Sequence, residues 1–158
     1  MKALSIAAVV AFVGTPVIAG EWRLTGESTE YVQAVDTTTV QTAGRVKTLW
    51  SVTAYYKREP EGHDYTMFHE KIDCAARTIQ ILGWVDRKLH DTDYSKSEQR
   101  PELVSAIIPE SVAWAKYEAI CDATWPNAAV TWETARAFAT EVRALEDSSN
   151  EPAVPVPE

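Results

Sequence analysis

The sequence holds only two cysteines, three histidines and six glycines. Neither cysteine has a second at C-x-x-C spacing, which removes the thiol-redox and zinc-ribbon patterns. There is no G-x-S-x-G elbow and no H-E-x-x-H helix, so the common hydrolase and metalloprotease signatures are missing. Positive charge is scarce. The 15 Lys and Arg against 23 Asp and Glu leave a formal charge of -8, a balance that disfavours nucleic acid, whose phosphates call for clustered Lys and Arg.

What is present is an ordinary globular composition. A chain of 158 residues with 46% apolar content and six tryptophans can build the core of one domain. The first twenty residues, MKALSIAAVVAFVGTPVIAG, stand apart. One lysine precedes an apolar run from Ala3 to Val13, a Gly-Thr-Pro break follows, and the stretch ends on small residues at Ala19 and Gly20. This pattern predicts a signal peptide over residues 1–19, cut after Ala19. The run is shorter than the roughly 20 residues of a spanning helix, and no cysteine lies near the cut to accept a lipid. Lys2 is the only charge removed, so the formal charge moves from -8 to -9. The expected mature protein is periplasmic or secreted, with no membrane span. Its acidic surface also disfavours anionic membranes. The pairs Lys57-Arg58 and Arg87-Lys88 are too small to form a basic patch.

Export gives the two cysteines a meaning. In an oxidising compartment two cysteines pair and stay paired, and Cys74 with Cys121 is the one intramolecular pairing the count allows. The bridge closes a loop of about 48 residues, for which loop-closure entropy gives about 4 kcal/mol. The competing readings, a reactive thiol or a metal ligand, lack a neighbouring cysteine or a histidine near Cys121.

β patterns come early and helical ones late. EWRLTGES and YVQAV read as short strands, DTTTVQTAG as a turn-rich connector, and RVKTLWSVTAYYK as the clearest strand. In that strand Val46, Trp50, Val52, Ala54 and Tyr56 share one face, with Lys47, Ser51 and Thr53 on the other. In YTMFHEKIDC, Phe68, Ile72 and Cys74 share a face opposite His69, Lys71 and Asp73. RTIQILGWV adds a further strand. Short polar turns between strands predict antiparallel pairing. The period then changes. PESVAWAKYEAIC repeats Val112, Ala115, Ala119 and Ile120 at helical spacing after Pro109 and Ser111, and Cys121 closes that helix. A second helix follows Pro126, with Trp132, Ala135, Phe138, Ala139, Val142 and Leu145 as an apolar stripe that belongs in a core. The expected fold class is α+β, an antiparallel sheet with a packed helix closed by one disulfide, plus an additional C-terminal helix. The expected organisation is a domain over residues 20–121, a helical extension over 122–146, and an acidic, proline-rich, disordered tail over 147–158.

Two polar groups bear on metal binding or catalysis. The first holds Glu61, His63, Asp64, His69 and Glu70, the second Asp86, His90, Asp91 and Asp93. Neither has a recognised ligand spacing, and loop charge in an acidic protein accounts for both. No cofactor and no metal are expected.

The exported domain opening with EW, the YVQAVDTTTV segment, the tryptophan of RVKTLWSVTAYYK, the DCAAR after a long strand and IIPESVAWAKYEAIC together resemble the surface-adhesin protein E family of bacterial envelope proteins. The matching positions are Asp36, Trp50, Asp73, Cys74, Pro109, Ser111 and Cys121, within residues 21–121. Glu110 departs from the family, which often has glycine there. The lipid-accepting cysteine of some members is missing, and the residues after Cys121 lie outside the pattern. The resemblance implies an antiparallel sheet with a packed helix, a disulfide, scope for a homodimer, and host-matrix binding.

The expectation is therefore a small exported envelope protein that binds and does not catalyse, with a protein partner in the envelope or matrix. Tyr55, Arg58 and Tyr65 beside the REPEGHD turn are the candidate contacts. The alternative is a periplasmic enzyme or metal-handling protein built on the His63/His69 region.

Overall fold

A computed structural model describes residues 19–57, 62–91, 95–99, 103–126 and 130–149. The leader, Arg58, Glu61, Asp93 and the tail after Ser149 lie outside these residues. Three long strands form the middle of the sheet: β4 (Val46–Tyr55), β5 (Tyr65–Asp73) and β6 (Thr78–Arg87). On one side β4 pairs with β2 (Tyr31–Asp36), then come β1 (Trp22–Glu27) and β9 (Thr131–Trp132). On the other, β6 pairs with β7 (Lys96–Glu98) and β8 (Val104–Ala106), while β3 (Gln41–Ala43) pairs with the start of β4. Every pairing is antiparallel. The turn-rich connector holds a single 3-10 turn, Thr37–Thr39, capped by Asp36, whose carboxylate accepts from the Thr38 amide and hydroxyl and from the Glu21 amide.

Helices cover both faces. The second, α2 (Ala135–Ser149), packs Ala135, Phe138, Ala139 and Val142 on Trp22, Val32, Ala34, Val52, Ala54 and Tyr65. The predicted stripe is trimmed at both ends: Trp132 stands in β9, before the helix begins, and Leu145 is 59% exposed. The first, α1 (Val112–Cys121), packs Tyr117 and Ile120 on Val35, Leu49 and Ile72.

The face of β4 read as polar is thus the face α1 lies on. Ser51 and Thr53 are buried there beside Leu49. Register is the cause. Residues directly opposite in an antiparallel pair lie on the same face, and Ser51 stands opposite Phe68, Lys47 opposite Ile72. The polar side of β4 and the apolar side of β5 are one surface. The face carrying His69 is not open either, because His69 stacks on Trp50 at 5.0 Å between ring centres.

Tight approach sets the seat of α1. A Cβ on Gly26 would come within 3.1 Å of the Ala115 Cβ and 3.3 Å of Val112 Cγ1, so a larger residue there would press the helix off β1 by a few tenths of an ångström. Ser111 caps α1, its hydroxyl accepting from the Trp114 amide at 3.1 Å and donating to the Ile108 carbonyl at 2.6 Å. The other end is fixed by the Cys74–Cys121 disulfide, with Cα atoms 5.6 Å apart, and by Tyr117, whose hydroxyl donates to the Cys74 carbonyl at 3.0 Å.

Glu110 has φ +64°, the left-handed region where a side chain costs roughly 1–2 kcal/mol. That is the physical reason glycine suits this position. Glycine also loses about 0.5–1 kcal/mol more backbone entropy on folding, so Glu110→Gly should stabilise by about 0.5–1 kcal/mol. For a chain of this size that raises the melting temperature by about 1–4 °C. A calorimetric scan in which the variant melts at or below the wild-type temperature would contradict the strain.

Candidate functional site

Although α1 covers one end of its sheet face, the rest is a trough. Two contiguous hollows of about 510 and 470 Å³ share Tyr55, Phe68 and Trp84, within the size range of ligand pockets. Their walls come from register. Tyr31 stands opposite Tyr55, with ring centres 6.3 Å apart, and Phe68 stands opposite Trp84. Between these aromatic pairs runs a polar row across four strands, Gln33, Thr53, Thr66 and Asp86. Gln33 Nε2 donates to Thr53 Oγ1 at 3.0 Å, and Thr66 Oγ1 donates to Asp86 Oδ1 at 2.8 Å. Leu103, 65% exposed, stands on the rim.

Two buried polar atoms at the trough have no partner among the described residues, Gln33 Oε1 and His63 Nδ1. His63 sits at the trough's end, edge-on to Tyr55 with ring centres 5.4 Å apart and with Nε2 4.0 Å from Asp86 Oδ1. A buried polar atom without a partner costs about 1–3 kcal/mol, so a guest bringing a donor gains by filling it.

The floor near α1 holds a buried ion pair. Lys116 (2% exposed) donates to both oxygens of Glu70 (3% exposed), at 2.9 and 2.8 Å. Ser51 donates to the same carboxylate at 2.7 Å. Its Oγ also accepts from Lys116 Nζ at 3.4 Å, the residue pair of Ser–Lys hydrolases. Here the hydroxyl is 0% exposed and its proton is committed to Glu70, so it is not presented as a nucleophile.

The candidate contacts separate. Tyr55 lines both hollows. Tyr65, 4% exposed, belongs to the core under α2 on the opposite face. Arg58 lies outside the described residues. The His63/His69 region is split by the sheet, His63 in the trough and His69 on the α2 side. Asp64 is tied up under α2, accepting from Arg143 at 3.0 Å and from the Leu89 amide at 2.8 Å. Among the described residues no three His, Cys, Asp or Glu side chains converge to hold a metal, and no helix is long and apolar enough to cross a membrane. Asp73 of the DCAAR stretch organises a turn. Amide hydrogen bonds from Ala76 and Ala75, both 2.9 Å, hold its carboxyl below the usual range.

Sequence reasoning missed Gln33, Phe68 and Trp84 as partners of Tyr55, because only register brings them together. Lys116 did carry a signal. It falls four residues from both Val112 and Ile120, on the stripe of a buried helix, where a lone charge asks for a partner.

The backbone is similar to crystal structures of protein E from Haemophilus influenzae. One, in crystal form II, shares 13% identity at a TM-score of 0.49, over 73% of this chain and 98% of that one. A second shares 10% at 0.45, over 65% and 94%. A third, from a non-typeable strain, shares 12% at 0.43, over 90% and 97%. No family model and no curated protein matches the sequence. The likeness is one of chain path, and what the trough can bind follows from its own residues.

Proposed function

We propose that the chain is an exported binding module whose contact site is the aromatic trough. The observation that carries this reading is the pair of unpartnered buried atoms, Gln33 Oε1 and His63 Nδ1, in a hollow walled by Tyr31, Tyr55, Phe68 and Trp84. Aromatic anchors with a few fixed polar groups are the composition of recognition sites. Export is supported by the leader pattern over residues 1–19 and by the disulfide. The partner we assign is a protein of the envelope or host matrix that inserts an apolar side chain carrying a hydrogen-bond donor. Tyr55 and Trp84 are the anchors, with Arg58, three residues beyond Tyr55, as a rim contact.

The test is surface plasmon resonance of the folded chain over immobilised envelope and matrix proteins. Tyr55→Ala and Trp84→Ala should each weaken binding tenfold or more, about 1.4 kcal/mol. Leu145→Ala, on the far side, should bind as wild type. Trough variants that bind normally while Leu145→Ala loses binding would move the contact surface to α2.

A further inference from the structure

Four acidic side chains are buried among the described residues, Asp36, Asp64, Glu70 and Asp86. Burying a carboxylate is costly unless a cation or several hydrogen bonds replace its water. Asp36 accepts from the Glu21 and Thr38 amides and from the Thr38 hydroxyl. Asp64 has the Arg143 guanidinium and the Leu89 amide, and Glu70 has the Lys116 ammonium and the Ser51 hydroxyl. Asp86 is the exception. Its side chain is 9% exposed, and among the described residues it accepts one hydrogen bond, from the Thr66 hydroxyl to Oδ1 at 2.8 Å. His63 Nε2, at 4.0 Å from the same oxygen, is beyond hydrogen-bond reach. Lys96 stands opposite Asp86 in the pairing of β6 with β7 but forms no ion pair with it.

The hollow that Asp86 lines also presents Tyr55, Phe68 and Trp84. Phe68 and Trp84 stand opposite one another, two residues along β5 and β6 from Thr66 and Asp86, or about 6.6 Å at 3.3 Å per residue. An aromatic face attracts a cation within about 6 Å of the ring centre, and the same rings give a methylene stem an apolar surface. Carboxylate and rings together call for one kind of guest, a cation at the end of an aliphatic chain. Thr66 already occupies Oδ1, which leaves Oδ2 for that guest. A guanidinium fork pairs best with both oxygens of a carboxylate, whereas an ammonium is a point charge that one oxygen satisfies. The acidic balance of the chain, a formal charge of -8, favours the approach of cationic partners.

We infer that the group a partner protein inserts here is a lysine, its stem against Tyr55, Phe68 and Trp84 and its ammonium on Asp86. This rests on the trough being a binding site and names the chemistry it selects. Lysine is an apolar stem ending in hydrogen-bond donors, and its charge completes the one buried carboxylate that the described residues leave without a cation or backbone amides.

The full chain, labelled with 5-fluorotryptophan, reports on the hollow by fluorine NMR, with the Trp84 resonance assigned through Trp84→Phe. The probes are Nα-acetyl-lysine methylamide, its arginine counterpart and the neutral Nα-acetyl-norleucine methylamide, each titrated to about 30 mM, the weak range of a single inserted side chain. The lysine probe should shift the Trp84 resonance saturably, with a dissociation constant about tenfold or more below those of the other two. Trp22 and Trp132, under α2, should not respond. Asp86→Asn keeps an acceptor for Thr66, and it should bring the lysine probe down to the level of norleucine while leaving the norleucine response unchanged. Equal affinity of the lysine and norleucine probes for the wild type, a comparison that needs no variant to fold, overturns the proposal. So does a lysine advantage that survives Asp86→Asn. An arginine probe that binds as well as lysine overturns the choice of an ammonium. If no probe moves Trp84 but Tyr55→Ala still loses the envelope or matrix partner, the trough remains a binding site and only the inserted lysine falls.

Discussion

Lys116→Met should lower the unfolding free energy by about 3–5 kcal/mol, the cost of stranding one member of a buried ion pair. Glu70 would keep the Ser51 hydrogen bond but lose both contacts from the ammonium. At 3% exposure it has little water to replace them. Against a typical domain stability of about 5–15 kcal/mol, that loss should pull the urea midpoint down by 1 M or more, taking a slope of about 1–3 kcal/mol per M. The pair itself contributes much less than this, because burying two charges costs nearly what their attraction returns. Lys116→Met combined with Glu70→Leu should therefore recover most of the loss. Urea melts of the wild type, the single variant and the double variant decide it. A single variant as stable as wild type, or a double variant no better than the single, would mean that the two charges are not coupled in the folded protein.

Removing the bridge should cost almost as much. Cys74 and Cys121 are 47 residues apart, and freeing a loop of that length returns about 4 kcal/mol of chain entropy to the unfolded state. The comparison needs Cys74→Ser with Cys121→Ser, since one lone thiol invites pairing between chains. What remains at that corner is the Tyr117 hydrogen bond to the Cys74 carbonyl and the contact of Lys47 Nζ with the Ile120 carbonyl. The first is a neutral hydrogen bond, about 0.5–1.5 kcal/mol, and the second comes from an ammonium, about 1.5–3 kcal/mol. Both are already made with the bridge in place, so neither offsets its loss. The double variant should melt at least 8 °C below wild type, taking about 2–4 °C per kcal/mol for a chain of this size. A melting temperature within a degree or two of wild type would show that the loop is already ordered before the bridge closes.

Some of the site was legible in the sequence. Tyr55 was marked by its place at the end of the clearest strand, and it does line the trough. Tyr65 looked equivalent, since it begins the next strand beside the same turn. Its side chain points into the core under α2, because Ala54, not Tyr55, stands opposite it in the pairing of β4 with β5. A slip of one residue in that pairing would have put Tyr65 opposite Tyr55, on the trough face.

The sequence by itself determined the long elements and the staple, and missed the short strands β3, β7, β8 and β9. Alternation marked the long strands, the change to helical spacing after Pro109 marked the first helix, and a count of two cysteines left a single bridge. These are local properties, carried by residues within a few positions of one another or by simple arithmetic. Tertiary structure decided which faces coincide. Pairing put the polar side of β4 and the apolar side of β5 on one surface, set Phe68 against Trp84 and Tyr31 against Tyr55, and drew Lys116 onto Glu70, 46 residues away. It also laid α2 over the other face, where the apolar stripe alone could only say that the helix must be covered by something. Periodicity gives each strand two faces but does not say which face of one adjoins which face of the next. That depends on register, which is set by turns and by the packing of distant helices, through contacts no window of sequence contains.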